Sequence, residues 1–165
     1  MVKIIAKMKH EEDEGNAEIG TRIRQLVGPT IEWEKISSRN IPDDNHEATI
    51  SSYGEPKDID LDFDIATYYG DGQLGIPFTC EITVSAFYYI FKANYYAIDE
   101  EDMPSVRDHN SHYFEAESDF EILVSGNISV RINLAAFGDE VEVEDYVDYD
   151  SIEMGAITSI DILGG

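Results

Sequence analysis

Three stretches of this chain carry a carboxylate at every second residue. Asp58, Asp60, Asp62 and Asp64 alternate with Ile59, Leu61, Phe63 and Ile65. Glu115, Glu117, Asp119 and Glu121 share one parity, with Phe120 and Ile122 on the other. Glu140, Glu142 and Glu144 alternate with Val141 and Val143, and Asp148 and Asp150 continue in step. On an extended strand, alternate side chains share a face and stand about 6.6 Å apart. Successive phosphates of one nucleic-acid strand lie roughly 7 Å apart through space, although the axial rise is about 3.4 Å. Each run, as a strand, therefore offers charge at nearly phosphate spacing. The arrangement is costly, because like charges set opposite one another weaken a sheet. The chemistry it can do is multivalent ionic recognition of a basic surface. A solvated acidic face with no partner, serving only solubility, is the plainer reading of the same residues.

Other chemistries fit less well. Asp60, Asp62 and Asp64 open like a calcium-binding loop, but Ile65 stands where that loop needs glycine and no helices flank it. Looser calcium sites between strands, over 99–102 or 139–150, stay open. His109 and His112 beside Asp108 form a weak metal pattern and read better as surface loop histidines. Cys80, between Thr79 and Glu81, has no histidine in sequence relation to it and reads as a buried structural thiol. Gly70, Gly72 and Gly75 miss both phosphate-loop spacings and put Asp71 where a phosphate would sit. No nucleophile, base and orienting group occur together. The expectation is a non-enzymatic protein with no cofactor and no metal.

Thirty-five acids against 11 bases give the 165 residues a net charge of −24. Such a field repels nucleic acid and anionic membranes and draws in basic partners, with a marked salt dependence. Residues 1–39 are neutral, with seven bases and seven acids, whereas residues 40–165 hold four bases and 28 acids. One face or end of the molecule is therefore expected to be far more negative than the rest. A hydrophobic content of 42% is too high for a disordered acidic segment, and the length suits a single domain over 1–165. The single cysteine excludes an intrachain disulfide and suits a reducing compartment. No apolar run nears the roughly 18 residues of a membrane span, and the opening residues are too briefly apolar for a signal peptide. A cytoplasmic setting is expected, the host cytoplasm if the chain is viral.

Most of the elements that must position these residues read as strands. Val2, Ile4, Ala6 and Met8 alternate with Lys3 and Lys7 and predict a first strand. Ile19, Ile23, Leu26 and Val27 fall at helical spacing and predict one helix over 17–27, stopped by Gly28 and Pro29. Further strands are predicted over 30–37, 58–65, 79–98, 113–124, 128–137, 140–150 and 156–163. Ser125, Gly126 and Asn127 predict a three-residue hairpin loop that pairs Val124 with Ile128, Ile122 with Val130 and Phe120 with Ile132. That register sets Glu121 against Arg131. The expected fold is α+β, mostly β: an antiparallel meander, sandwich or half-barrel with one short N-terminal helix.

Tyr88, Tyr89, Tyr95 and Tyr96 crowd the segment 87–96, which suits either the core of a sandwich or a contact between copies of the chain. The sequence thus points to a non-enzymatic inhibitor that imitates nucleic acid with acid-striped strands. Such a protein blocks the basic nucleic-acid-binding site of a host protein, as anti-restriction and anti-CRISPR inhibitors do. The alternatives are a structural or assembly protein, such as a virion component or oligomeric β module, and an acidic immunity-type protein. The partner expected is a basic nucleic-acid-binding protein, with neither nucleic acid nor membrane bound directly.

Overall fold

The computed structural model describes residues 1–13, 18–138 and 140–164. Strand makes up 49% and helix 26%, so the fold is α+β and mostly β. In chain order the elements are α1 (Val2–Asp13), α2 (Glu18–Ile31), β1 (Lys35–Ser37), β2 (Glu47–Tyr53), β3 (Lys57–Leu61), β4 (Thr67–Gly70), β5 (Gln73–Phe91), α3 (Lys92–Tyr95), β6 (Ser105–Asp108), β7 (Tyr113–Ile132) and β8 (Val147–Ile162). The eight strands hydrogen-bond in the order β1-β2-β5-β7-β6; β3 and β4 also pair with β5, and β8 pairs with β7.

Period-two burial explains the two long strands. Every even-numbered residue of β5 from Leu74 to Ile90 is buried. On β7 the buried set is Ala116, Ile122, Val124, Gly126, Ile128, Val130 and Ile132. β7 therefore runs straight through Ser125, Gly126 and Asn127, where the sequence predicts a hairpin. A three-residue loop preserves parity, so the alternation is identical for a reversal and for an uninterrupted strand. Gly126 decides between them. A Cβ at that position would meet the Ala156 carbonyl oxygen at 3.1 Å, Ile157 Cδ1 at 3.1 Å and Phe78 Cε1 at 3.2 Å. The glycine serves close approach of neighbouring chain, not a turn. Glu121 and Arg131 consequently lie along one strand and do not face each other. β7 ends at Ile132 rather than at 137, and the stretch 156–163 belongs to the longer β8.

Contacts divide the chain into two compact units. The first comprises Met1–Thr30, Pro56–Glu81 and Val124–Ser159. Here Val2–Met8 is helical, not extended. Ile4 and Met8 are buried while Val2 is 82% exposed. A four-residue spacing fits both a strand and a helix, and the Ala, Lys, Met and Glu around it favour the helix. Lys7 fastens α1 by donating to the carbonyls of Gly138 and Val141. In α2, Ile19, Ile23, Val27 and Ile31 form one buried stripe, and the Glu12 carboxylate accepts from the Ile19 backbone N–H at 3.2 Å near its first turn. The helix does not stop at Gly28 and Pro29, because the last turn buries Ile31 completely. Pro29 itself is exposed, and it has no N–H to donate to the Gln25 carbonyl one turn back.

The second unit comprises Ile31–Glu55, Ile82–Leu123 and Ile160–Gly165. Its core includes Ile36, Ile41, Ile50, Ile82, Val84, Tyr88, Ile90 and Ile122. The Tyr88 hydroxyl sits 3.0 Å from Ser118 Oγ, which satisfies it within that core. The strand expected over 30–37 shrinks to Lys35–Ser37. The strand expected over 79–98 ends at Phe91, and α3 follows. The first unit holds 19 acids and seven bases, the second 16 acids and four bases, so each carries −12. The neutral and acidic halves of the sequence are therefore mixed by the fold rather than placed at opposite ends.

Replacing Gly126 by Val is expected to cost about 1–3 kcal/mol in denaturant unfolding, the usual penalty of overpacking. The backbone amides of Ser125, Gly126 and Asn127 are expected to exchange hydrogen as slowly as those of Val124 and Ile128. Fast exchange confined to those three would restore the loop.

Candidate partner-binding face

The three acidic runs fare differently. In the first unit, Asp58 has a left-handed backbone (φ 51°), and the pairing of β3 with β5 slips by one residue between Lys57↔Glu81 and Asp60↔Thr79. That bulge takes Asp58 out of the alternation. β3 then ends at Leu61. Asp62 Oδ1 accepts from the Asp64 backbone N–H at 3.2 Å and opens a short 3-10 turn over Phe63–Ile65. Asp64 stands 3.5 Å from Lys9. The four aspartates thus do not form one stripe over 58–65. They line, with Lys9 and Arg24, a groove of about 630 Å³. Aspartate is a poor strand former because its short carboxylate competes for nearby backbone N–H groups, as it does here.

The run 140–150 is not a strand either. Glu140 and Glu142 precede a 3-10 turn over Val143–Asp145 that carries Glu144, and β8 begins only at Val147. Val143, Tyr146 and Val147 are buried, a spacing no strand produces. Asp148 and Asp150 are exposed on β8, where Arg22 holds Asp150 at 2.6 Å. The Tyr146 hydroxyl is buried without a hydrogen-bond partner among the described residues, and burial pushes it up to about 12. Asp139 lies outside the described residues. Among the described residues no group of three His, Cys, Asp or Glu side chains is placed to hold a metal ion, at 99–102 or elsewhere.

The run 115–121 keeps its geometry. Ser118, Ile122 and the even residues point into the second unit, so Glu115, Glu117, Asp119 and Glu121 share the opposite face of β7. The neighbours on that face are not acids. Ser85 Oγ donates to Asp119 at 2.5 Å, which fixes the odd residues of β5 on the same side. On β6, Ser105 pairs with Glu117 and Arg107 with Glu115. Arg107 donates to the Glu115 carboxylate at 2.6 Å. That hydrogen bond, helped by the arginine's charge, holds the Glu115 carboxyl below the ordinary glutamate range.

Beside the carboxylates the same face carries aromatic rings. Phe87 and Tyr89 follow Ser85 on β5, with centroids 6.2 Å apart and edge to face. Trp33 stands 6.5 Å from Phe87, and His109 lies 4.3 Å from Tyr89. Trp33 is 64% exposed. Its backbone is left-handed (φ 71°), which for a bulky side chain costs on the order of 1–3 kcal/mol. Three hydrogen bonds hold it there: Trp33 N to Ile50 O at 2.8 Å, Ile50 N to Glu34 O at 2.9 Å and Glu34 N to Ile31 O at 3.0 Å.

Comparison with known proteins matches this chain to no family, no curated protein and no solved structure. The geometry of this face therefore has to carry the functional argument. Sequence reasoning placed Trp33 on a strand and took the tyrosines of 87–96 as a group, missing that Phe87 and Tyr89 share a face with the acids. The parity of 85, 87 and 89 was readable; the β5–β7 pairing that matches it to 115, 117 and 119 was not. Cys80 is fully buried, and desolvation raises its thiol to about 11, which suits a structural role.

Glu115 gives a pH test with a defined sign. A carboxyl lowered on folding stabilises the fold fully above the ordinary glutamate range and loses that effect as pH falls through the folded value. Glu115→Gln is expected to be less stable than the parent at pH 7, with the difference shrinking as pH falls through and below the ordinary glutamate range, as read by urea unfolding. A second variant, Trp33→Gly, is expected to melt no lower than the parent, because glycine accepts the left-handed backbone without strain and little buried surface is lost. A clear fall in its melting temperature would show that the tryptophan is there for packing.

Proposed function

We propose that this protein is a non-enzymatic inhibitor that occupies the basic nucleic-acid-binding site of another protein. The observation that carries the reading is the column Glu115, Glu117, Asp119 and Glu121 on one face of β7, spaced like successive phosphates. The net charge of −24 supplies the long-range attraction and keeps nucleic acid itself away. The acids of 58–64 and 140–150 contribute to that field but do not continue the column. Inhibition of the anti-restriction or anti-CRISPR kind follows from the same physics, because such nucleases grip DNA through its phosphates.

Self-association is the second reading, favoured by the exposure of Trp33 (64%) and Tyr96 (71%) in the second unit. Sedimentation over a wide concentration range tests this second reading, since an assembly module grows with concentration.

The test is DNA cleavage by restriction and CRISPR nucleases, with the full chain added over a range of salt. Inhibition is expected to weaken steeply as salt rises. The double variant Glu117→Gln/Asp119→Asn keeps shape and hydrogen-bonding capacity, so it is expected to fold normally, inhibit about tenfold less well, and show a flatter salt dependence. Full inhibition by that variant with an unchanged salt slope would end the proposal.

A further inference from the structure

A column of charge that only imitates phosphates has no need of exposed aromatic surface, yet the second unit sets such surface beside it. Trp33, Phe87 and Tyr89 stand edge to face in a row, and Trp33 is mostly open to solvent. Glu115, Glu117 and Asp119 flank that row on the same face, as the Ser85–Asp119 bond requires. Two cationic side chains can meet this surface, and they differ in what they ask of it. A lysine ammonium is compact and strongly hydrated, and carboxylates alone satisfy it. A guanidinium is planar and weakly hydrated; it stacks flat on a ring while its edge donates two hydrogen bonds to a carboxylate. The chain's own Arg107 shows the carboxylate half of this pairing, donating to Glu115 at 2.6 Å on the same face.

We infer that this face selects arginine over lysine, so that the partner lays an arginine-rich segment across Trp33, Phe87 and Tyr89 and against the carboxylates of Glu117 and Asp119. The inference rests on the reading of the chain as a binder of basic surfaces, and it narrows the chemistry of that partner. Charge complementarity brings the cation, and the rings decide which cation stays.

The probes are two capped peptides of equal charge, six Gly-Arg repeats and six Gly-Lys repeats, titrated calorimetrically into the full chain at fixed ionic strength. The arginine peptide is expected to bind about fivefold or more tightly, as one added ring–guanidinium contact supplies. It is also expected to change the fluorescence of Trp33, the chain's only tryptophan. Trp33→Gly and Tyr89→Leu are each expected to bring the ratio of the two Kd values towards one while leaving the salt dependence in place. Glu117→Gln/Asp119→Asn is expected to weaken both peptides alike. Equal Kd values in the parent overturn arginine selection and leave the basic-partner reading standing. A preference that survives both ring variants overturns its placement on this face. Binding of neither peptide overturns both readings.

Discussion

Along β5 nine consecutive even-numbered side chains, from Leu74 to Ile90, go under cover, because each bulge in its pairing with β2, β3 and β4 puts the extra residue on the partner and leaves the alternation of β5 unbroken. One slip would turn every one of them to the other face. The same condition on β7 buries Ile122, Val124, Ile128, Val130 and Ile132. With the even faces committed, the odd residues have no choice of side. Ser85, Phe87 and Tyr89 are placed on the wet face of β5, and Glu115, Glu117, Asp119 and Glu121 on that of β7, by the hydrophobic effect acting on their neighbours. The acids and rings meet because apolar residues one position away had to be buried.

That constraint also explains how a sheet tolerates four carboxylates in a column. Like charges destabilise most when they stand directly opposite across strands. Opposite Glu115 stands Arg107, opposite Glu117 stands Ser105, and beside Asp119 lies the Ser85 hydroxyl. For Glu115, Glu117 and Asp119 repulsion is therefore mainly along β7, where alternate residues are about 6.6 Å apart and water screens them. The other two runs break up, the first of them although Asp60 stands opposite Thr79. Asp58 goes into a bulge, Asp62 and Asp64 into a turn, and Glu144 into a 3-10 helix, with Lys9 and Arg22 neutralising two of the acids left nearby.

What was legible in the sequence follows the same division. The strand-rich class, the α2 stripe and the wet face of 115–121 depend on local periodicity, and periodicity survives in a single chain. The errors occur where one pattern serves two structures. Ile4 and Met8 satisfy a period of two and a helical turn equally. A three-residue loop at Ser125–Asn127 keeps the same parity as no loop. Alternating aspartates resemble a strand until their side chains capture the backbone. Trp33 was beyond reach for another reason: its left-handed backbone is held by its N–H donating to the Ile50 carbonyl while the Ile50 N–H donates to Glu34, a pairing set by residues distant along the chain.

Trp33 also bears on how an acidic protein can be selective at all. A charge of −24 attracts every basic surface in reach, and at physiological salt the attraction fades over about 8 Å without regard to the shape of what it attracts. Discrimination has to come from groups that act at contact, where a misfit leaves a charge desolvated or a ring uncovered. On the reading proposed above, exposed Trp33 and half-buried Phe87 and Tyr89, beside Glu117 and Asp119, are such a set of groups. A tryptophan 64% open to solvent on a left-handed backbone gives folding little beyond its edge contact with Phe87, and glycine would hold that backbone without strain. On the function proposed above, that strain is offset by a contact with the partner, in which the rings are the selective part of the surface and the acids the attractive part.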